Sequence, residues 1–391
     1  MSSMEAAAQA PPIDYSLESW KIDPEILSPF ARELWRAEND VPVVITEDRS
    51  LRPKILDACG MTCWFCHNEG TPVLSEVGRT PENTLGRVSI YSATNGVNFL
   101  PGRMGPDTDF ITALSKLQSV IGLDELHLTG GEPTLHPKLP EIIRASKNLG
   151  LSVKMTSNGE NPRILERCAE AGLDKVIFSV FGTTASDLSK VQHDKFKNSY
   201  LAQRKIDSLY QSIAEIAEHG IEAVANIVVP GFGHEARVTG IMDQFEHLSI
   251  RLLNSLADGE QSYAAIYEIL ASLGAKPLRT KLSAGSSNAR IDYQIPDGSK
   301  VSFKQIRPAR FDSVCAGCEI DAKGKCEEGF YGLRLYVDQN GKYLVGVCIQ
   351  RMDLVMELDD FLASGLPAEI SAFRAAEKES MVDFFKDRLE I

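Results

Sequence analysis

Cys59, Cys63 and Cys66 stand as C-x3-C-x2-C in the stretch Asp57-Ala58-Cys59-Gly60-Met61-Thr62-Cys63-Trp64-Phe65-Cys66-His67-Asn68, with an aromatic residue, Phe65, directly before the third cysteine. Three thiolates packed this closely can hold three corners of an iron–sulfur cube and leave the fourth iron open to bind and cleave a ligand. A structural zinc site wants four closed ligands and would have to recruit His67. A second group, Cys315-x2-Cys318-x7-Cys326 followed by Cys348 on the returning arm of a hairpin, carries four thiols. On chemistry alone it can close a tetrahedral zinc site or hold another iron–sulfur cluster. Cys168, the remaining one of eight cysteines, falls at an apolar position of a helix and reads as core. This grouping is that of metal binding in a reducing compartment, not of a disulfide framework.

The elements that must position these residues follow from periodicity. From about residue 50, short apolar runs alternate with amphipathic segments. Strands are expected at 52–57, 124–129, 151–156, 174–180, 221–229 and 248–254. Helices are expected near 109–121, 137–149, 161–171, 199–219, 235–247 and 261–273, and Gly150, Gly172, Gly220 and Gly274 stand where left-handed C-caps are wanted. Six β-α units in series imply a parallel sheet with helices outside, either a barrel or an open doubly wound sheet. Ser16–Asn39 reads as two short helical pieces broken by Pro24 and Pro29, the second opening near Pro29. Residues 70–108 form a long Gly-, Pro-, Thr- and Asn-rich segment, a lid or a surface insertion. Beyond 275, short strands are expected at Thr280–Ala284, Ala289–Ile295 and Lys300–Ile306, with a turn at Pro296-Asp297-Gly298. A hairpin from Gly329 to Gly346 turns at Asp338-Gln339-Asn340-Gly341, and helices near 353–364 and 367–388 end the chain.

C-x3-C-x2-C with an aromatic before its last cysteine resembles the signature of the radical S-adenosylmethionine (SAM) enzymes. Gly130-Gly131-Glu132-Pro133, after the second strand, strengthens the likeness. The resemblance implies a partial (β/α)6 TIM barrel, open on one side, with its chemistry in the loops after the strand C-termini. It implies that Cys59, Cys63 and Cys66 hold a [4Fe–4S] cluster whose open iron is chelated by SAM. Reductive cleavage then gives a 5′-deoxyadenosyl radical that takes a hydrogen from substrate. The glycines would let the backbone approach SAM, with Glu132 helping to hold its ammonium. Phe65, Pro133, Ser157, Asn158, Ser179, Asn226 and Pro230 are implied against SAM, and Thr156 against its ribose or the substrate.

Cys-x2-Cys, then Leu333-Arg334-Leu335 before a hairpin, then a cysteine, resembles the auxiliary-cluster ("twitch") domain of the molybdenum-cofactor GTP cyclases. This implies a second [4Fe–4S] cluster on Cys315, Cys318, Cys326 and Cys348. Arg52, seven residues before Cys59, matches an arginine of those cyclases. The departures are informative: a cyclase lysine corresponds to Val224, and the first of two hairpin arginines to Gly332. The C-terminus is Leu389-Glu390-Ile391 where the cyclases end in Gly-Gly. A triphosphate needs cations, so a different substrate is expected. Arg52, Lys304, Arg307, Arg310 and Arg334 are candidates for a substrate carboxylate or phosphate.

The expected organisation is a helical extension over 1–47, the barrel over 48–275 and a twitch-like α+β domain over 276–391. Hydrophobic content of 43% suits a buried core, and no apolar run reaches membrane-spanning length. The first residues lack a charged and apolar leader pattern, which points to the cytoplasm. A net charge of −13 argues against nucleic-acid and anionic-membrane surfaces. The expected partners are a polar small-molecule substrate (a nucleoside, sugar or aminoglycoside-like compound) and an electron donor such as flavodoxin or ferredoxin. The expected reaction is decarboxylation, oxidation, epimerisation or cyclisation. Peptide modification, GTP cyclisation and a non-enzymatic redox sensor are the alternatives.

Overall fold

The computed structural model describes residues 15, 22–56, 58–61, 63, 102–192, 198–256, 258–322, 326, 328–338, 340–349 and 351–390. Cys66, Phe65, His67 and most of 70–108 lie outside the described residues. The chain runs through α1 (Pro29–Ala37), β1 (Val43–Glu47), β2 (Ser50–Pro53), α2 (Thr108–Ile121), β3 (Glu125–Leu128), α3 (Leu139–Asn148), β4 (Ser152–Ser157), α4 (Leu165–Glu170) and β5 (Lys175–Ser179). It continues with α5 (Ala185–Lys190), α6 (Ser199–Glu218), β6 (Glu222–Val229), α7 (Glu235–Gln244), β7 (Ser249–Asn254) and α8 (Gly259–Ser272). Then follow β8 (Lys276–Ala284), β9 (Asn288–Gln294), β10 (Lys300–Ile306), α9 (Asp312–Cys315) and α10 (Glu319–Ala322). The last elements are β11 (Leu333–Val337), β12 (Tyr343–Gly346), β13 (Met356–Glu357), α11 (Leu358–Ala363) and α12 (Leu366–Phe384).

Strands β2 to β7 are mutually parallel and neighbour one another in chain order, which is the six-unit partial barrel that the resemblance implied. One 13-stranded sheet extends it on both sides. The antiparallel β8, β9 and β10 continue from β7, and β1 adds in parallel to β8. On the other side β11 pairs in parallel with β2 and carries β12 and β13. The strands are buried on alternate residues against the helices. Val176 and Phe178 of β5, Ala225 and Ile227 of β6, and Ile250 and Leu252 of β7 belong to the main core, so Ile177, Asn226 and Arg251 fall on the inner face. Helix α2 shows the matching helical stripe, burying Phe110, Ala113, Leu114, Leu117 and Ile121. Its start is set by Asp107, whose side chain accepts from Phe110 N, and its end by Gly122 in the left-handed region.

Three departures from the sequence expectation are local, the first being β2, expected over 52–57 and found at Ser50–Pro53. The helix expected over 161–171 opens as a 3-10 turn at Pro162–Ile164 before α4 begins. The one expected over 353–364 is a 3-10 turn, β13 and α11 in succession. A larger departure is β1, which falls within the expected helical extension but is a sheet strand.

Behind the sheet, Glu38 is fully buried and accepts hydrogen bonds from the hydroxyls of Tyr267 (2.9 Å) and Tyr293, tying the chain after α1 to α8 and β9. Burial raises its pKa to about 8, against the two tyrosine hydrogen bonds. An acid whose folded pKa is raised contributes full stability below its ordinary carboxylate range and loses it as pH climbs through the folded value. Thermal stability is therefore expected to decline from about pH 4.5 to about pH 8 and to level off above that, and Glu38→Gln to flatten the decline. A Glu38→Gln melting profile with the wild-type slope would refute the assignment.

Candidate active site

The loop after β2 carries Cys59 and Cys63, and several interactions fix its path. Gly60 N donates to Glu160 Oε2 at 2.9 Å, and Glu160 is paired in turn with Lys205 of α6. Gln192, buried after α5, donates its amide Nε2–H to Cys63 Sγ at 3.3 Å. Asn158 donates Nδ2–H to Cys59 Sγ at 3.5 Å, its orientation set because Oδ1 accepts from Glu160 N at 2.9 Å. Met61 N also donates to Cys59 Sγ, at 3.4 Å. Sulfur acceptors met by amide N–H groups are favoured as thiolates, the form that ligates metal. Met61, Cys63, Leu188, Ala202 and Ile206 form a separate apolar cluster around this loop. Water is thereby kept from the side facing α5 and α6.

The glycine turn after β3 packs directly under the cysteine loop. Gly131 N donates to Leu56 O at 2.8 Å and Glu132 N to Ala58 O at 2.7 Å. At Gly130, whose φ is 154°, a Cβ would stand 2.6 Å from the Leu56 carbonyl oxygen; only glycine allows this approach. Glu132 is 1% exposed. Its Oε1 accepts from Thr134 N (3.0 Å), Thr134 Oγ1 (2.7 Å) and Ser157 Oγ (2.6 Å), and its Oε2 accepts from Asn158 N at 2.6 Å. Burial raises its pKa against those hydrogen bonds. Glu132 thus braces the β3 turn to the end of β4, and Ser157 and Asn158 stand in the site through it. Pro133 opens the 3-10 turn that follows.

Ser179, Asn226 and Arg251 are register partners on β5, β6 and β7 and form one inward row. The Oδ1 atom of Asn226 is buried without a hydrogen-bond partner among the described residues, an acceptor left for a ligand. Pro230 follows β6 at the same strand ends. Thr156 Oγ1 lies 2.7 Å from His127 Nε2. Burial holds the His127 imidazole well below its ordinary pKa, with Arg52, Lys154, Lys304 and Arg251 acting in the same direction, so it is neutral.

The basic candidates divide. Arg52 and Lys304 face the Tyr331 ring, with the guanidinium carbon and the ammonium 4.3 and 4.8 Å from its centroid. Arg334 is buried on β11 opposite Arg52. Arg307 is taken up elsewhere, in a buried bidentate pair with Glu377 of α12 at 2.6 Å through each nitrogen. Arg310 pairs with Asp321 at 2.9 Å and donates to Cys326 O at 3.1 Å, so it positions the second cysteine group. Both arginines are braces, an outcome their spacing did not reveal. Sequence reading missed Arg251, His127, Tyr331 and Gln192. An arginine inside the apolar run Ser249-Ile250-Arg251-Leu252-Leu253 was the available signal for the first.

Cys315, Cys318, Cys326 and Cys348 line one cavity together with Asp321 and Arg351. Burial opposes ionisation of Cys318, but the backbone N–H groups of Asp321 and Ile320 and the Arg351 guanidinium outweigh it and lower the pKa of its thiol.

An open parallel β/α half-barrel with a cysteine loop after its first strand and a glycine turn after its second defines the class of protein. Residues 54–239 match the family model of the Radical SAM superfamily. That stretch carries a radical SAM domain, and the likeness indicates an enzyme. A radical SAM domain implies a SAM-binding [4Fe–4S] cluster and a requirement for a reductant. The chain is similar to proteins described as probable GTP 3′,8-cyclases. That of Metallosphaera sedula is 25% identical over 293 residues, covering 72% of this chain and 80% of that protein. That of Saccharolobus solfataricus is 26% identical over 325 residues, covering 80% and 86%. Among solved structures, Streptococcus suis SuiB bound to S-adenosylmethionine aligns at 12% identity over 88% of this chain and 72% of that chain, with a TM-score of 0.47. No helix among the described residues is long and apolar enough to cross a membrane.

Proposed function

We propose that the chain cleaves SAM reductively at a cluster held by Cys59, Cys63 and Cys66 and uses the resulting radical on a polar small molecule bound in the barrel. The observation that carries this reading is the convergence of the cysteine loop, the glycine turn, Asn158 and the orphaned Asn226 Oδ1 at one end of the strands. Cys59, Cys63 and Cys66 would hold a [4Fe–4S] cluster, which when bound would supply the electron for reductive cleavage of SAM. The chain's own residues supply the rest. Asn158 and Gln192 hold the two described thiols, Gly130 lets the glycine turn pack against the Leu56 backbone of the cysteine loop, and Glu132 keeps the β3 turn in register with the end of β4. The apolar cluster around Met61 excludes water from one side of the chemistry.

The similarity to GTP 3′,8-cyclases supports the branch, while Val224 and Gly332 stand where those cyclases carry cations, which favours a substrate other than GTP. Cys315, Cys318, Cys326 and Cys348 would hold a second [4Fe–4S] cluster, for which their shared cavity and Arg351 are the support. Four protein thiolates leave no open iron, so this cluster serves electron transfer better than substrate ligation. The domain division at 47 and 275, a cytoplasmic location and a flavodoxin- or ferredoxin-type donor belong to the same reading.

Iron, sulfide and zinc analysis of anaerobically reconstituted protein tests it. Two cubane clusters correspond to about eight irons per chain. A result of about four irons with one zinc would make the second cysteine group a structural staple. Little iron under careful anaerobic handling would sink the radical reading. Cys318→Ala is expected to remove about four irons while the cluster that binds SAM remains.

A further inference from the structure

The inner face of the barrel carries more positive charge than the chain neutralises. Three of its cations have carboxylate partners: Lys154 with Glu125, Lys175 with Glu222, and Arg290 with Asp292 at 3.0 Å. Three others, Arg52 on β2, Arg251 on β7 and Lys304 on β10, have no carboxylate partner among the described residues. Arg251 is 8% exposed, and its Nε has no hydrogen-bond partner among the described residues. Arg52 and Lys304 approach the same Tyr331 ring. The Tyr331 hydroxyl is buried, and Lys304 and Arg52 both act on it. Arg251, in turn, stands beside Asn226 in the strand register. Unpaired cations gathered in a partly desolvated space repel one another and cost stability, unless an anion joins them. The overall charge of −13 makes this local excess the more pointed.

We infer that Arg52, Arg251, Lys304 and Tyr331 form an oxyanion site that takes the carboxylate or phosphate of the substrate and places that substrate beside Asn226. This rests on the small-molecule reading of the barrel given above. All four residues lie outside the stretch 54–239 that matches the family model. Two of them, Lys304 and Tyr331, come from the strands that extend the barrel and the segment before β11. The guanidiniums supply planar paired donors, Lys304 a point charge and Tyr331 a directional O–H. Arg290 and Asp292 of β9 and Glu222 of β6 also act on Arg251, the acids being engaged with their own cations. Burial would raise the phenol's pKa, but Lys304 and Arg52 bring it down to about 8. Above that pH the phenolate becomes an internal competitor for the same cations, so oxyanion binding weakens as pH rises through it.

The test is thermal denaturation of the cluster-reconstituted full chain, titrated with inorganic phosphate and, separately, acetate, at ionic strength held constant with chloride. The site predicts a saturable rise in melting temperature with at least one of the two anions. Phosphate alone assigns a phosphorylated substrate; a response to acetate assigns a carboxylate. Lys304→Met is expected to weaken that response at least tenfold and, because it relieves repulsion, to melt higher than wild type when no anion is added. A merely structural lysine would give the opposite shift. Lys304→Arg should restore the response, and Arg251→Met repeats the test if Lys304→Met does not fold. No response beyond that to chloride, or superimposable curves for wild type and a folded variant, overturns the inference. SAM cleavage by wild type, followed as 5′-deoxyadenosine, reports on the radical reading separately: it can fail while anion binding stands, and the reverse.

Discussion

Cys63→Ala is expected to reduce 5′-deoxyadenosine formation to the level seen without protein and to remove about four of about eight irons. The second cluster should remain. The reason lies in how the thiol is held. Cys63 is buried, meets the Gln192 amide at 3.3 Å and packs in the apolar cluster with Met61 and Leu188. Alanine would leave the packing nearly intact and delete only the ligand. With two thiols left, a cube would have two unligated irons and a site that no longer defines one open position for SAM. The experiment pairs metal analysis with product detection under a chemical reductant. Retention of SAM cleavage by the alanine variant would refute the ligand assignment, whatever the iron count. Loss of a single zinc, with iron unchanged, would make the first cysteine group a zinc site.

Arg307→Ala should destabilise the chain by about 3–5 kcal/mol, the usual consequence of stranding one half of a buried ion pair. Arg307 and Glu377 are 3% and 5% exposed at their side chains and meet through both pairs of atoms at 2.6 Å. Glu377 also accepts from Gly285 N, and Arg307 donates to Ser283 O at 3.0 Å. The pair therefore fastens α12 to the turn between β8 and β9. There, Gly285 at φ 77° brings its backbone against Arg374, leaving no room for a side chain. Unfolding should begin with release of α12, seen as proteolysis near residues 366–384 at temperatures where wild type resists. The double variant Arg307→Met with Glu377→Leu should recover much of the loss, because no charge is then left buried. A single variant as stable as wild type would show that water reaches the pair.

Much of the fold was legible because it is written in short-range periodicity. The strands β3 to β7 fall within a residue or two of the apolar runs, and the four C-cap glycines all have positive φ. The glycine turn could be placed after its strand for the same reason. What was lost was long-range. Val43-Val44-Ile45 is as strand-like as any run in the chain, yet its partner is β8, and Val43 pairs with Thr280. That partner lies more than 200 residues away, beyond what local periodicity can show. Arg307, Lys304 and Arg310 looked equivalent in sequence, all lying shortly before the second cysteine group. Strand alternation and the reach of α12 separate them: Glu377 claims one, Asp321 another, and the third turns to Tyr331.

By itself, then, the sequence determined which thiols are spaced as metal ligands are and where glycines allow a close approach, though to the Leu56 backbone at Gly130 and not to a ligand. Thiol spacing and glycine placement are properties of a few consecutive residues, and their chemistry survives any packing of the rest. Only the tertiary structure decided which charges are neutralised. Whether an arginine is a brace or a free cation depends on a carboxylate supplied from a distant segment, and the curvature of the sheet brings Arg52, Arg251 and Lys304 to one space while leaving the acids paired below them.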